Sequence, residues 1–387
     1  MTISNLIGRK EINVPSKKRK PTVDEILWII LDAGNSDVKW MIHGAFGEAR
    51  VMPQMVRKVS EADYNNLKQS YKYKVAHFEG TAIFSVDGQG YVVGQHATEV
   101  GAGIRHTGTN KYRRDHMGAI LEAALIQVYP ESHPNVGVVI LHPTGINSDN
   151  MKALIDSIKG THKITVADGR SMTYKVKTII PLEESVAALQ TFMLNQDGRP
   201  YQNIGMDVEP GDTFLSVDVG GFISGISRGR MTKGGAFEVD LASSVSIQAG
   251  IQDVLRIFAS ELKAAFPDQL ANVQTIPQEM MNRALQNGGQ IIIKGKSYDC
   301  KRQIDNSMQA ISGPIEREFT TRFQSGVSDN AIVISGGGGG IAGDYLKANV
   351  LKHDFVHAAE PKPENMRLGA IYGGSKGMYS FLVTYRG

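Results

Sequence analysis

A chain of 387 residues, 41% apolar and 21% charged, has the composition of an ordinary globular protein and the length for two domains with sizeable cores. Its formal net charge of +3 is too small to imply a general nucleic-acid-binding surface. A single cysteine, Cys300, excludes an intramolecular disulfide and a multi-cysteine metal centre and fits a reducing cytoplasm, and no apolar stretch approaches the roughly 20 residues of a membrane span.

The first 25 residues carry Lys17-Lys18-Arg19-Lys20 without the apolar run of a secretory signal. They read as a disordered basic arm, either solvated or in electrostatic contact with DNA or a neighbouring subunit. From Trp28 to Leu31 an apolar strand runs into Asp32-Ala33-Gly34 and a return strand carrying Lys39. A polar stretch follows to about Tyr73, then weak strands at 82–86 and 90–94, together a small inserted subdomain over about 45–98. A polar, basic loop over 101–114 leads into a helix over 116–129. A strand over 136–141 is stopped by Pro143, and a helix from Asn150 is ended by Gly160. A strand over 174–180 then runs through Pro181 into a helix over 183–194, with Val186, Leu189 and Met193 on one face. Residues 195–211, rich in Gly, Pro, Asn and Asp, read as a linker.

The second half opens as the first did. Phe214-Leu215-Ser216-Val217-Asp218-Val219-Gly220-Gly221 is again an apolar strand, an aspartate and a glycine turn, followed by a return strand. An amphipathic helix over 243–266 comes next, with an inserted piece over about 240–325 that includes a strand at 290–294. Residues 289–297 imitate a phosphate-binding P-loop, but one residue too many separates the glycines, and the Ile run between them cannot curl around a phosphate. A helix near 304–322 precedes a strand over 331–335, the glycines Gly336 to Gly340 and a helix beginning near Asp344. Each half thus reads as hairpin, insertion, helix, strand, helix. That is a duplicated α/β fold with domains over 26–200 and 201–360, a C-terminal segment over 361–387 returning to the first, and a cleft between them.

Two matched hairpins facing each other suit a magnesium nucleotide. Glycine turns at Gly34 and at Gly220-Gly221 let backbone N–H groups cradle an anion, and Asp32 and Asp218 hold a divalent cation through water. Asn35 and Ser36 at the first turn offer donors to phosphate oxygens, and Lys39 reaches phosphate as a point charge. Gly336, Gly337, Gly338 and Gly339 permit close approach of a base, ribose or phosphate to the backbone. Glu183 and Glu184 open a helix, where acidic residues complement the macrodipole; alternatively one of them faces the cleft and orients a water. The ten histidines show no metal-ligand spacing.

Taken together these segments resemble the actin, sugar-kinase and heat-shock-chaperone ATPase superfamily, whose fold is the ribonuclease H-like duplicated α/β domain with an interdomain nucleotide cleft. Within it the likeness is to plasmid-segregation actins of the ParM or StbA type. Leu31 to Lys39 is similar to the first phosphate loop and Ser216 to Gly221 to the second. Ile180-Pro181-Leu182-Glu183-Glu184-Ser185 resembles the connecting segment, which puts the catalytic glutamate at Glu184, and 333–338 resembles the adenosine loop. Residues 107–112 and 364–369 resemble lesser signatures. The chain departs at Phe222-Ile223, where the family has hydroxyl residues, and at Gly225, where an aspartate is usual. The resemblance implies a filament-forming ATPase using Mg²⁺ and ATP or GTP, with Asp218 and Glu184 catalytic. Its partners would be further copies of itself and a DNA-binding adaptor of ParR type, with DNA contacted indirectly and no membrane. A small-molecule kinase or a non-polymerising scaffold of the same superfamily is the alternative.

Overall fold

The computed structural model describes residues 26–34, 37–45, 48–72, 80–99, 112–129, 131–202, 204, 206–233, 237–286, 288–326, 328–354, 356–358, 374 and 376. The arm over 1–25, Asn35 and Ser36, residues 107–111 and 364–369, and most of 361–387 lie outside them.

In chain order the first half comprises β1 (Leu27–Ala33), β2 (Asp37–Ile42), β3 (Arg50–Pro53), β4 (Val56–Val59), α1 (Glu61–Lys72), β5 (Thr81–Val86), β6 (Gln89–Gly94) and α2 (Gln95–Glu99). A π-turn at Arg114–Gly118 leads into α3 (Ala119–Val128), then β7 (His133–His142), α4 (Ser148–Ile158), β8 (Gly160–Val166), β9 (Ser171–Glu183) and α5 (Glu184–Met193). The second half has β10 (Thr213–Val219), β11 (Ser224–Met231), β12 (Phe237–Ile247), α6 (Ile251–Ala265), α7 (Pro267–Leu270) and α8 (Gln278–Gln286). It continues with β13 (Gln290–Ile293), β14 (Lys296–Asp299), α9 (Lys301–Phe323), β15 (Ala331–Ser335), α10 (Gly339–Asn349) and β16 (Val356–Ala358).

The strands form a nine-stranded sheet in the order β3-β2-β1-β7-β9-β8-β5-β6-β4, a five-stranded sheet in the order β12-β11-β10-β15-β16, and the hairpin β13-β14. The two larger sheets share a central motif. β1 pairs antiparallel with β2 and parallel with β7; β10 pairs antiparallel with β11 and parallel with β15. Because β1 and β10 are covered on both faces, they are apolar runs rather than alternating strands, and every residue of β1 is buried. α3 packs on one face of the first sheet, where Ile120, Leu121 and Leu125 meet Leu27, Ile29 and Leu31. On the other face Gly374 lies against Ile30, Leu141 and Val139. In the second sheet α6, α9 and α10 cover one face, and α5 crosses over to cover the other with Leu189, Phe192 and Met193. Each large side chain so buried contributes about 1.5–3 kcal/mol.

Several boundaries differ from the sequence reading. Residues 243–247 belong to β12 and not to a helix: 245–247 pair with β11, and α6 begins only at Ile251, where the Asp253 carboxylate accepts from the Gly250 N–H at 3.2 Å. The strand expected over 174–180 extends over 171–183, and Pro181 is accommodated within it because β8 stops pairing with β9 at Val176. Residues 195–211 are packed: Ile204 is buried, and Tyr201, Met206 and Val208 join it against Phe192 and Phe214. Strands β5, β6 and β4, within the segment expected to be an inserted subdomain, extend the first sheet through β8. The helix expected near Asp344 starts at Gly339, so Gly339 and Gly340 are helical and the glycine loop is Gly336 to Gly338. No described helix is long and apolar enough to cross a membrane.

Candidate functional site

The C-terminal ends of β1 and β10 open on one cavity of about 270 Å³. The first hairpin supplies Asp32, Gly34, Asp37 and Lys39 to its lining, the second Asp218, Gly220, Gly221, Phe222 and Ile223. Gly336, Gly337 and Gly338 follow β15, and Glu184 opens α5. Gly339 is not among the lining residues. Glu183, the other candidate, stands at the N-cap position of α5 without a side-chain capping bond and accepts from the Gly145 N–H at 3.3 Å, leaving Glu184 as the member of the pair that faces the cavity. Residues without a local sequence signature complete the wall: Pro143, Ile251, Gln252, Ile341, and Gln278 with Asn282 from α8.

In the first hairpin Asp32 stands directly across the ladder from Lys39, and Lys39 Nζ donates to Asp32 Oδ2 at 2.5 Å. Burial pulls the Lys39 ammonium down, but the Asp32 carboxylate, with weaker help from Glu184 and Asp218, outweighs this and holds it above the ordinary lysine range. Asp32 Oδ1 is buried with no hydrogen-bond partner among the described residues. Gly34 arches over the pair; a Cβ there would lie 2.9 Å from Asp37 O and 3.5 Å from Asp32 Oδ1.

In the second hairpin Asp218 faces Gly225 across the ladder and takes a 2.6 Å hydrogen bond from Ser335 Oγ instead. Burial, with the Asp32 charge adding to it, holds the Asp218 carboxyl above the usual carboxylate range against the pull of Ser335 and Lys39. The glycine turn is clamped from behind: the N–H groups of Ile251 and Gln252 donate to Gly220 O and Gly221 O at 3.1 and 2.9 Å, and the Gly220 N–H closes the hairpin on Ile223 O. Gly336 adopts φ +84°, and a Cβ there would sit 2.3 Å from Val219 O and 3.0 Å from Asp218 Oδ1. Only glycine lets this loop press against the end of β10.

Two carboxylates, one ammonium, glycine turns and a flanking glutamate form a donor set for a hard cation bound to an anion. No described cluster of three or more His, Cys, Asp or Glu could hold a metal by itself; magnesium carried on phosphate needs only one or two carboxylates from the protein. The buried, unpartnered Asp32 Oδ1 and the protonation-prone Asp218 both fit such a cation.

Residues 31–183 match the family described as the N-terminal domain of actin-like proteins. Among solved structures, the crystal structure of the archaeal actin homologue Ta0583 superposes with a TM-score of 0.67 at 16% identity, covering 92% of this chain and 100% of that one. Its complex with ADP gives 0.62 at 15%, covering 94% and 100%. A 15-stranded ParM filament from Clostridium botulinum gives 0.64 at 16%, covering 91% and 99%. No curated protein matches the sequence. The chain therefore has the two-domain actin-like fold, and its residues 31–183 match the N-terminal domain of actin-like proteins.

Proposed function

We propose that the chain binds a magnesium nucleoside triphosphate, ATP or GTP, in this cleft, hydrolyses it, and assembles into filaments that position DNA through an adaptor of ParR type. The observation that carries the reading is the convergence of Asp32, with its buried and unpartnered oxygen, and Asp218 on one cavity from two equivalent hairpins. The ADP complex of one structural neighbour and the filament of another support it.

In this reading the glycine turns hold the phosphates by their amides, and Lys39 balances phosphate charge from within its pair with Asp32. Asp32 and Asp218 orient the water shell of the metal. Magnesium supplies charge neutralisation to the triphosphate when bound. Glu184 accepts a hydrogen bond from the attacking water and aims it, and most of the rate comes from electrostatic placement.

Sedimentation with parallel measurement of phosphate release tests this. The protein is expected to pellet on addition of ATP or GTP with magnesium and to return to the supernatant as phosphate appears. Glu184→Ala should bind nucleotide with near-normal affinity, release phosphate about 100-fold more slowly, and leave filaments that persist. Turnover that needs an added small-molecule hydroxyl acceptor, without pelleting, would move the chain to the kinases of the superfamily.

A further inference from the structure

Beneath the cleft floor a line of hydroxyl groups runs from one half of the molecule into the other. Thr144 Oγ1, in the turn after β7, lies 2.5 Å from Ser185 Oγ at the start of α5. Ser185 Oγ is 2.6 Å from Ser227 Oγ on β11, which is 2.9 Å from Ser244 Oγ on β12. Thr144, Ser185 and Ser227 are all buried. A fifth hydroxyl, Ser216 Oγ on β10, donates to the Ser185 carbonyl at 2.8 Å.

The placement is specific. Ser216 and Ser227 are direct partners in the β10-β11 ladder, so Ser185 rests on a two-serine platform with its carbonyl on one hydroxyl and its own hydroxyl on the other. Ser216 stands two residues before Asp218 and shares its face of the strand. Ser185 directly follows Glu184. Gly225, across from Asp218, leaves room for the contact: a Cβ there would lie 2.6 Å from Thr144 Oγ1 and 3.4 Å from Ser185 Cβ.

The first hairpin shows the ordinary filling of the same positions. Two residues before Asp32 stands Ile30, and its ladder partner is Met41, both in an apolar cluster. Apolar contact would hold α5 on the second sheet equally well, and burying hydroxyls is unfavourable unless each finds a partner. Hydrogen bonds add direction, which apolar contact lacks.

We propose that Ser185 is a positioning residue that sets Glu184 against Asp218. Its seat on Ser216 and Ser227 fixes the first turn of α5 relative to the strand carrying Asp218, and Thr144 ties that setting to the approach of the two halves. This rests on the reading of the cleft as a nucleotide-hydrolysing site and names the device that aligns it.

The test uses the full-length chain with Ser185→Ala and Ser227→Ala, compared with Ser307→Ala. The Ser307 hydroxyl is equally buried, bonded to Gln303 O on α9, and away from the cleft lining. Affinity for a fluorescent ATP analogue, kcat of phosphate release and melting temperature are measured for each. Ser185→Ala and Ser227→Ala should lose about 10- to 100-fold in kcat with affinity within about threefold of wild type, whereas Ser307→Ala should lose melting temperature alone. Should Ser185→Ala not fold, Ser227→Ala carries the same test from the opposite side of the contact. Unchanged kcat in both, or kcat and affinity falling together with melting temperature, overturns the proposal while leaving hydrolysis in place. A wild-type chain that neither binds nor hydrolyses nucleotide overturns the functional reading and this proposal with it.

Discussion

The two aspartate hairpins share a pairing pattern and differ in the partner that each gives its carboxylate. The first carries its own counterion, Lys39 across the ladder from Asp32, so its carboxylate is paired before any ligand arrives. The second has Gly225 in the place of that lysine, and Asp218 is left with a serine hydroxyl and a buried setting that favours its proton. Gly225 is small because the return strand is pressed against Thr144 and Ser185 from the other half. One copy was thus free to hold a charge over the cleft, while the other gave up that position to the contact between halves. Burial holds the carboxyl of the second aspartate above the usual range, so a cation beside it would favour its charged form.

The largest break in this comparison is Asp218→Ala. It removes the only carboxylate of the second hairpin and should lower phosphate release by at least about 100-fold, the scale of losing one preorganised electrostatic group. Undiminished release would remove Asp218 from the chemistry. Next is Lys39→Met, which leaves Asp32 buried with no counterion. Loss of one partner from such a pair costs about 3 kcal/mol, read as a fall in urea-unfolding free energy without nucleotide, and affinity for nucleotide should fall by about tenfold. An unfolding curve superimposable on wild type would show that Asp32 does not depend on the pair. Smaller still is Gly225→Ala, whose methyl group meets the Thr144 side chain; overpacking of this kind costs about 1–3 kcal/mol. Melting should drop and phosphate release with it, since the contact beneath Glu184 is forced apart. A Gly225→Ala protein of wild-type stability and rate would mean the halves have slack there.

Much of this site was legible because it is built from local signals. A strand covered on both faces is a continuous apolar run, and a turn that must pass close to another backbone is glycine, so Asp32, Gly34, Asp218, Gly220 and the loop after Ser335 stood out. The misread parts depend on what lies across space. β3, β4 and α1 sit in a polar stretch because they are half exposed, and residues 243–247 of β12 abut α6 so closely that strand and helix merged into one amphipathic pattern. The segment after α5 looks like a linker by composition, yet Tyr201, Ile204, Met206 and Val208 close a cluster whose other members come from α5, β10, β11, β12 and β15. Gln278 and Asn282 reach the cleft from α8, which nothing in their own neighbourhood announces. Glycines are poor helix formers and push the predicted start of the last helix to Asp344; in the fold Gly339 begins it, and the Gly338 N–H donates to Val219 O at 2.8 Å.

The finest distinction between the hairpins is their response to pH. Burial raises the folded-state pKa of Asp218 above its unfolded value. Between those two values the folded chain keeps a proton that the unfolded chain has lost. The stability this gives is complete at low pH and disappears as pH rises through the folded value. Binding of a magnesium nucleotide needs the carboxylate, so affinity should rise through the same interval in which ligand-free stability falls. The two slopes therefore have opposite sign, and both belong to one group. Asp218→Asn keeps an acceptor for Ser335 while removing the titration, so its ligand-free melting should lose that slope and lie above wild type at neutral pH, with nucleotide affinity low throughout. Melting and affinity followed upward from about pH 4, near the ordinary aspartate value, decide the point. Slopes that run in parallel, or that survive unchanged in Asp218→Asn, would assign the titration to another carboxyl and leave the two hairpins electrostatically alike.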